Sequence, residues 1–219
     1  MKPTKFITTL AITMFALTAC NNGQQPANTE TAEDAAPETQ EVKSLEHGTY
    51  QAQPSNGATV TLELPATDDE VLASIEQYRD TVQATEPVTY VTVDLDNREG
   101  TGDLSIDLSV FDGAGNQYEF HSLDQYTDEI RPSTDYAADE PVTVLADGTE
   151  MPAREGTRLT NETSDLLEEY TGYASQGARE TTVHVYQGDN LPDQFTRVAI
   201  TERTDTGSGQ QIEAHPTQK

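Results

Sequence analysis

Cysteine occurs once in the 219 residues, at position 20, and tryptophan does not occur at all. A single thiol excludes an intramolecular disulfide and any multi-thiolate zinc site, so neither staple can stabilise the fold. Basic residues are scarce: 12 Lys and Arg face 39 Asp and Glu, a formal charge of −27. That balance argues against nucleic acid as a partner, because phosphate binding needs basic patches and their released counterions. Lysine is missing from 44–218, which removes the phosphate-loop lysine and any Schiff-base lysine from the domain. No Gly-x-Ser-x-Gly elbow is present, and only His121 and His184 stand well inside the chain. Both read as strand histidines at or near solvent, so no nucleophilic constellation is visible. With 34% hydrophobic residues, the length allows one ordinary domain plus polar tails.

The N-terminus carries an address. Lys2 and Lys5 form a positive n-region and Phe6 to Leu17 an apolar run, the pattern of a secretion signal. The run is too short to cross a bilayer, which takes about 20 apolar residues. Leu17-Thr18-Ala19-Cys20 resembles the bacterial lipobox, and the only cysteine of the chain stands where the lipobox requires one. The resemblance implies that residues 1–19 are removed as a lipoprotein signal peptide and that Cys20 becomes a diacylated mature N-terminus. Two acyl chains suffice for stable anchoring where one is marginal. The expected location is therefore the extracytoplasmic face of the cell membrane, held by lipid on Cys20.

Residues 20–44 are rich in Gln, Asn, Thr, Ala, Glu and Pro and lack aromatics; they read as a disordered tether with a mean reach of about 25 to 30 Å as a flexible coil. Residues 204–219 have the same polar character and read as a frayed tail. Acidic residues are spread along tether, helices and loops without a single block. This is the balance of a surface adapted to salt, which holds water and cations while its self-repulsion is screened; recognition of a basic partner is the other explanation.

Between these ends, 45–203 is dominated by alternation. Val60, Leu62 and Leu64 alternate with polar partners, as do Val91, Val93 and Leu95, and Leu104, Ile106, Leu108 and Val110; each set predicts a half-buried strand. Asp112-Gly113-Ala114-Gly115-Asn116 supplies a turn before Tyr118 and Phe120 resume the pattern, which predicts a hairpin. Further strands are expected at Val142 to Leu145, Thr182 to Tyr186 and Thr196 to Thr201. Two segments switch to helical spacing. Thr67 to Glu70 reads as a capping box, and Val71, Leu72, Ile75, Tyr78 and Val82 then share one face of a helix over 68–83. Leu166, Leu167, Tyr170 and Tyr173 predict a second, shorter helix. The expected fold is mainly β, an antiparallel sandwich with two short helices; the alternative is an α+β fold with helix 68–83 packed on an open antiparallel sheet.

The stretch Tyr90 to His121 resembles the core of an immunoglobulin-like domain family of unknown function, common in secreted and lipid-anchored proteins of Gram-positive bacteria. The resemblance rests on Asn97 near a strand end, the Asp112-Gly113 turn and the aromatic Tyr118, with Gly177 before a late strand as a further match. It implies an immunoglobulin-like architecture, and the helix over 68–83 lies outside the family's pattern.

Metal binding has one nucleus. Asp94 and Asp96 point to the same face of their strand, and Asp103 and Asp107 are expected nearby on the next, so four carboxylates offer oxygens of the kind Ca²⁺ takes. An EF-hand loop begun at Asp94 fails, having Glu99 where glycine is needed and Ser105 where a bidentate glutamate is needed. No catalytic residue and no cofactor is expected. The sequence reads as a non-catalytic binding or interaction module of the cell envelope, with an unidentified envelope protein or ligand as partner. The alternatives are a solute-binding lipoprotein of an importer and an enzyme with an unrecognised site.

Overall fold

The computed structural model describes residues 44–137, 140–159, 161, 170, 172–189, 191–204 and 207–217. In chain order the elements are β1 (Leu45–Glu46), β2 (Gly48–Ala52), β3 (Thr59–Leu64), α1 (Asp69–Val82), β4 (Val88–Asp96), β5 (Ser105–Phe111), β6 (Gln117–Ser122), α2 (Leu123–Ile130), β7 (Ser133–Asp135), β8 (Val142–Val144), β9 (Glu150–Pro152), β10 (Arg179–Gln187), β11 (Gln194–Phe195), β12 (Arg197–Thr204) and β13 (Gly207–Pro216). The predicted strands are present, and the hairpin pairs Leu108 with Phe120 and Val110 with Tyr118 across the Asp112 turn. There the Asp112 carboxylate accepts hydrogen bonds from the Ala114 and Asn116 amides, both at 2.9 Å, and from the Tyr118 hydroxyl at 3.0 Å. The Asn116 side chain, whose Nδ2 donates to the same carboxylate at 2.7 Å, is foremost in holding its pKa below the usual carboxylate range, with those donors adding to it.

All ladders are antiparallel, and eight strands close into one ring in the order β10-β4-β3-β2-β13-β12-β5-β6. The expectation of a sandwich of separate sheets is met only at the coarser level of an antiparallel, mainly β fold. The long ladders do fall into two groups of four, β2-β3-β4-β10 and β13-β12-β5-β6. At the two seams, however, His184 pairs with Ser122 and Val185 with His121, and His215 pairs with Gln51 and Pro216 with Tyr50. Closure leaves no fully free edge strand in the ring. The expected tail over 204–219 is corrected as well: β13 runs from Gly207 to Pro216 and pairs with both β12 and β2. Its inward positions include only Ile212 and Ala214 as aliphatic residues, too weak a pattern to read, and its place in the ring comes from backbone pairing.

The ring is filled. Val60, Leu62, Val91, Val93, Leu95, Val110, Val198 and Ile200 are each fully buried in its interior, as a barrel of eight strands requires. His184 belongs there too: it stands opposite Val91, on the inward face, and is 1% exposed. This corrects its reading as a histidine near solvent. Burial holds the imidazole down to about 4, and its Nδ1 has no hydrogen-bond partner.

The outer face of β4 and β10 is covered by helices. On α1, Val71 and Ile75 pack with Tyr90, Val183, Val185, Leu123 and Tyr126, while Tyr78 and Val82 pack with Leu159 and Met151. Leu159 lies in a helical segment over 153–159, and Met151 in the small sheet β7-β8-β9. Burying each such aliphatic side chain contributes roughly 1.5 to 3 kcal/mol. The cap of α1 differs by one residue from expectation. Asp68 caps the helix, accepting from the Glu70 and Val71 amides, and the Thr67 hydroxyl donates to Glu63 instead. A carboxylate at this position also complements the helix dipole. Arg79, in the last turn of α1, is buried, its charge met by the Glu76 carboxylate at 2.9 Å and by the Glu86 carbonyl. The helix α2 lies outside the sequence expectation, although Ser122 and Gln125 form a complete capping box at its start. Of the second expected helix, Leu166 and Leu167 lie outside the described residues, while Tyr170 and Tyr173 stand in no helix.

Candidate binding site

One end of the barrel is organised by Asn97, the residue after β4, which is fully buried. Its Nδ2 donates to the carbonyls of Gly102 at 2.7 Å and Ala174 at 2.9 Å, and its Oδ1 accepts from Asn56 Nδ2 at 3.1 Å. Its backbone amide donates to Ala178 O, and its carbonyl accepts from the amides of Gly100 and Gly177. One side chain therefore ties together the loops 53–58, 97–104 and 173–178. Leu104 and Ala174 exchange two backbone bonds of 2.8 Å beside it. The close packing explains Gly100, where a Cβ would lie 1.8 Å from Asn97 Oδ1. Gly177 has a φ of +83°, a conformation open to glycine at little cost. Ser55 reaches across the barrel end to inward-facing Glu202, its hydroxyl donating to Oε2 at 2.6 Å.

These loops frame a cleft of about 570 Å³ lined by Asn56, Thr101, Gly102, Asp103, Leu104, Ser105, Tyr173, Glu202 and Arg203. Leu104 forms a fully buried apolar floor, and Tyr173 stands at the cleft with 55% of its surface exposed. Asp103 accepts from the Gln176 amide at 3.0 Å, which fixes its carboxylate relative to the Tyr173 loop. Arg203 faces Asp107 at 3.5 Å. The arrangement combines an aromatic face, an apolar floor and convergent polar groups of both signs, the make-up of a ligand cleft. No hydroxyl of the cleft is hydrogen-bonded to a histidine among the described residues. Composition could not have found this site, since its members come from four separate segments.

The four aspartates proposed as a cation nucleus are not brought together by strand pairing. Asp94 and Asp96 do share the outer face of β4, but Arg179 Nε donates to Asp94 at 2.9 Å and Arg98 Nε to Asp96 at 2.8 Å. The Arg98 guanidinium holds the Asp96 carboxyl down to about 2. Asp107 lies on β5, whose neighbours are β6 and β12, and Asp103 precedes it. The expectation that β5 lies next to β4 is thus corrected: the connection 97–104 crosses the barrel end instead of turning into a hairpin. Among the described residues no three His, Cys, Asp or Glu side chains form a group able to hold a metal ion. His121 is half-buried, on the outward face of β6 opposite Val185. Cys20 lies outside the described residues. No family model, curated protein or solved structure matches the chain.

Proposed function

We propose that this protein is a lipid-anchored, extracytoplasmic binding module that presents its Tyr173 cleft to a partner in the cell envelope, without catalysing a reaction on it. The observation that carries the reading is the preformed loop cluster around Asn97. A cleft held by buried hydrogen bonds spends little ordering entropy on binding, which favours a recognition role. The lipobox at Cys20 and the polar segment behind it supply the anchor and the reach. Among the described residues no helix is long and apolar enough to cross a membrane. The relationship to immunoglobulin-like envelope domains belongs to the same proposal, supported by the two four-stranded ladders and by Asn97, Asp112-Gly113 and Tyr118 at strand ends.

Two measurements test it. A fatty-acid analogue supplied to growing cells labels the wild type and not a Cys20→Ser variant; persistent labelling of the variant refutes the anchor. A photoreactive residue at position 173 captures a defined species in intact cells, whereas the same residue at Tyr136, the other strongly exposed tyrosine, does not. Equal capture from both positions refutes the cleft as the binding site.

A further inference from the structure

The closed ring has an incomplete side. Strand β13 pairs with β12 along most of its length, but with β2 only at His215 and Pro216. From there the two strands diverge, and a cleft of about 550 Å³ opens between Ala52 and Gln53 on one side and Ile212 and Glu213 on the other. The direction of the unpaired groups follows from the ladder. The Thr217 amide donates to Thr49 O at 3.0 Å, so residue 217 exchanges bonds on the β2 side. Every second residue of a strand points its N–H and C=O the same way. The backbone groups of Glu213 and Gln211 therefore face the cleft, and they have no partner in β2; the bulge between Gln211 and Ser208 reverses the alternation and turns Gly209 back toward Glu202 of β12. Ile212 stands opposite Ile200 on the inward face, packs on the barrel core, and is only half-buried because nothing on β2 covers it.

Exposed edges are normally blunted by lysine, proline, inward charge or a bulge, and here a bulge ends the free edge beyond Gln211 without covering Gln211 to Glu213. Between Gly209 and Ala214 the only charged residue is Glu213. We propose that this edge is a docking site for an extended peptide segment, which adds as a strand against Gln211–Glu213 and covers Ile212 with an apolar side chain. The free edge is about 10 Å long at ~3.3 Å per residue. That is too little for a second copy of the chain, since a stable dimer buries about 800 Å² per partner; it suits a short strand recognised through its main chain. Charge selects the composition: with a formal charge of −27 on the chain and Glu213 on the edge, the outward residues of the segment are basic. This site is separate from the Tyr173 cleft and stands without it.

The test is amide hydrogen exchange of the full chain with a capped synthetic peptide alternating valine with lysine. Binding slows exchange at Gln211 and Glu213 at least tenfold relative to the free chain. A Gln211→Pro variant loses binding, because it removes a donor that faces the cleft and takes none from the β12 ladder. A peptide N-methylated on the edge-facing amides also fails to bind, which repeats the test without altering the protein. Three results overturn the proposal: those amides already protected in the free chain, no added protection with peptide, or equal binding of the N-methylated peptide. Equal binding of a peptide alternating valine with glutamate overturns the basic composition.

Discussion

Replacing Asn97 tests whether the barrel end is held by this one side chain. Asn97→Ala deletes two bonds donated to Gly102 and Ala174 and one accepted from Asn56. Each net hydrogen bond contributes about 1 kcal/mol, and a buried group left unpaired adds a further ~1 to 3 kcal/mol. Ala174 O keeps its bond from the Leu104 amide, so the penalty falls mainly on Gly102 O and Asn56. The expected loss is therefore about 3 to 4 kcal/mol, a shift in urea midpoint of roughly 2 M for a typical slope. Asn97→Asp separates the donor role from size. It keeps an acceptor for Asn56 but turns a carboxylate toward two carbonyls in a fully buried place, so its folded-state pKa rises above the unfolded value. Stability is then retained below about pH 4 and lost as pH rises toward the folded pKa, by about 1.4 kcal/mol per pH unit in that window. Urea titrations of both variants at several pH values read this directly. A loss below about 1 kcal/mol for Asn97→Ala, or a pH-independent Asn97→Asp, would refute the reasoning.

Gly100→Ala places a Cβ into Asn97 Oδ1; it destabilises the wild type by about 2 kcal/mol and much less in an Asn97→Ala background, as a double-mutant cycle by denaturation shows. His184 makes stability fall in acid. Its imidazole is held down to about 4 in the fold against 6.5 in the unfolded chain, so the unfolded state binds more protons between these values. The contribution is complete above pH 6.5 and declines through the window to about pH 4, on the order of 3 kcal/mol in total, and a His184→Leu variant flattens that slope in pH-dependent melts. Calcium raises the melting temperature no more than monovalent salt at matched ionic strength, because Arg179 and Arg98 already neutralise Asp94 and Asp96; a calcium-specific rise that vanishes in Asp94→Asn, Asp96→Asn would overturn this.

The alternating residues by themselves determined the strands β3, β4, β5, β6, β10 and β12, the β5–β6 hairpin and the buried stripe of α1. These are local properties: a period of two or of 3.6 residues states which side is apolar before any partner is chosen. Tertiary structure decided which strands are neighbours. That choice sends 97–104 across the barrel end, parts Asp94 and Asp96 from Asp107, and recruits the polar segment 207–216 as a strand through main-chain bonds that leave no mark on composition. Asn97 shows the same division. Its place near a strand end was legible, but its partners Asn56 and Ala174 lie 41 and 77 residues away. His184 looked like any strand histidine because inward and outward polar residues are alike in sequence; only ring closure, with Val91 beside it, takes its imidazole out of water.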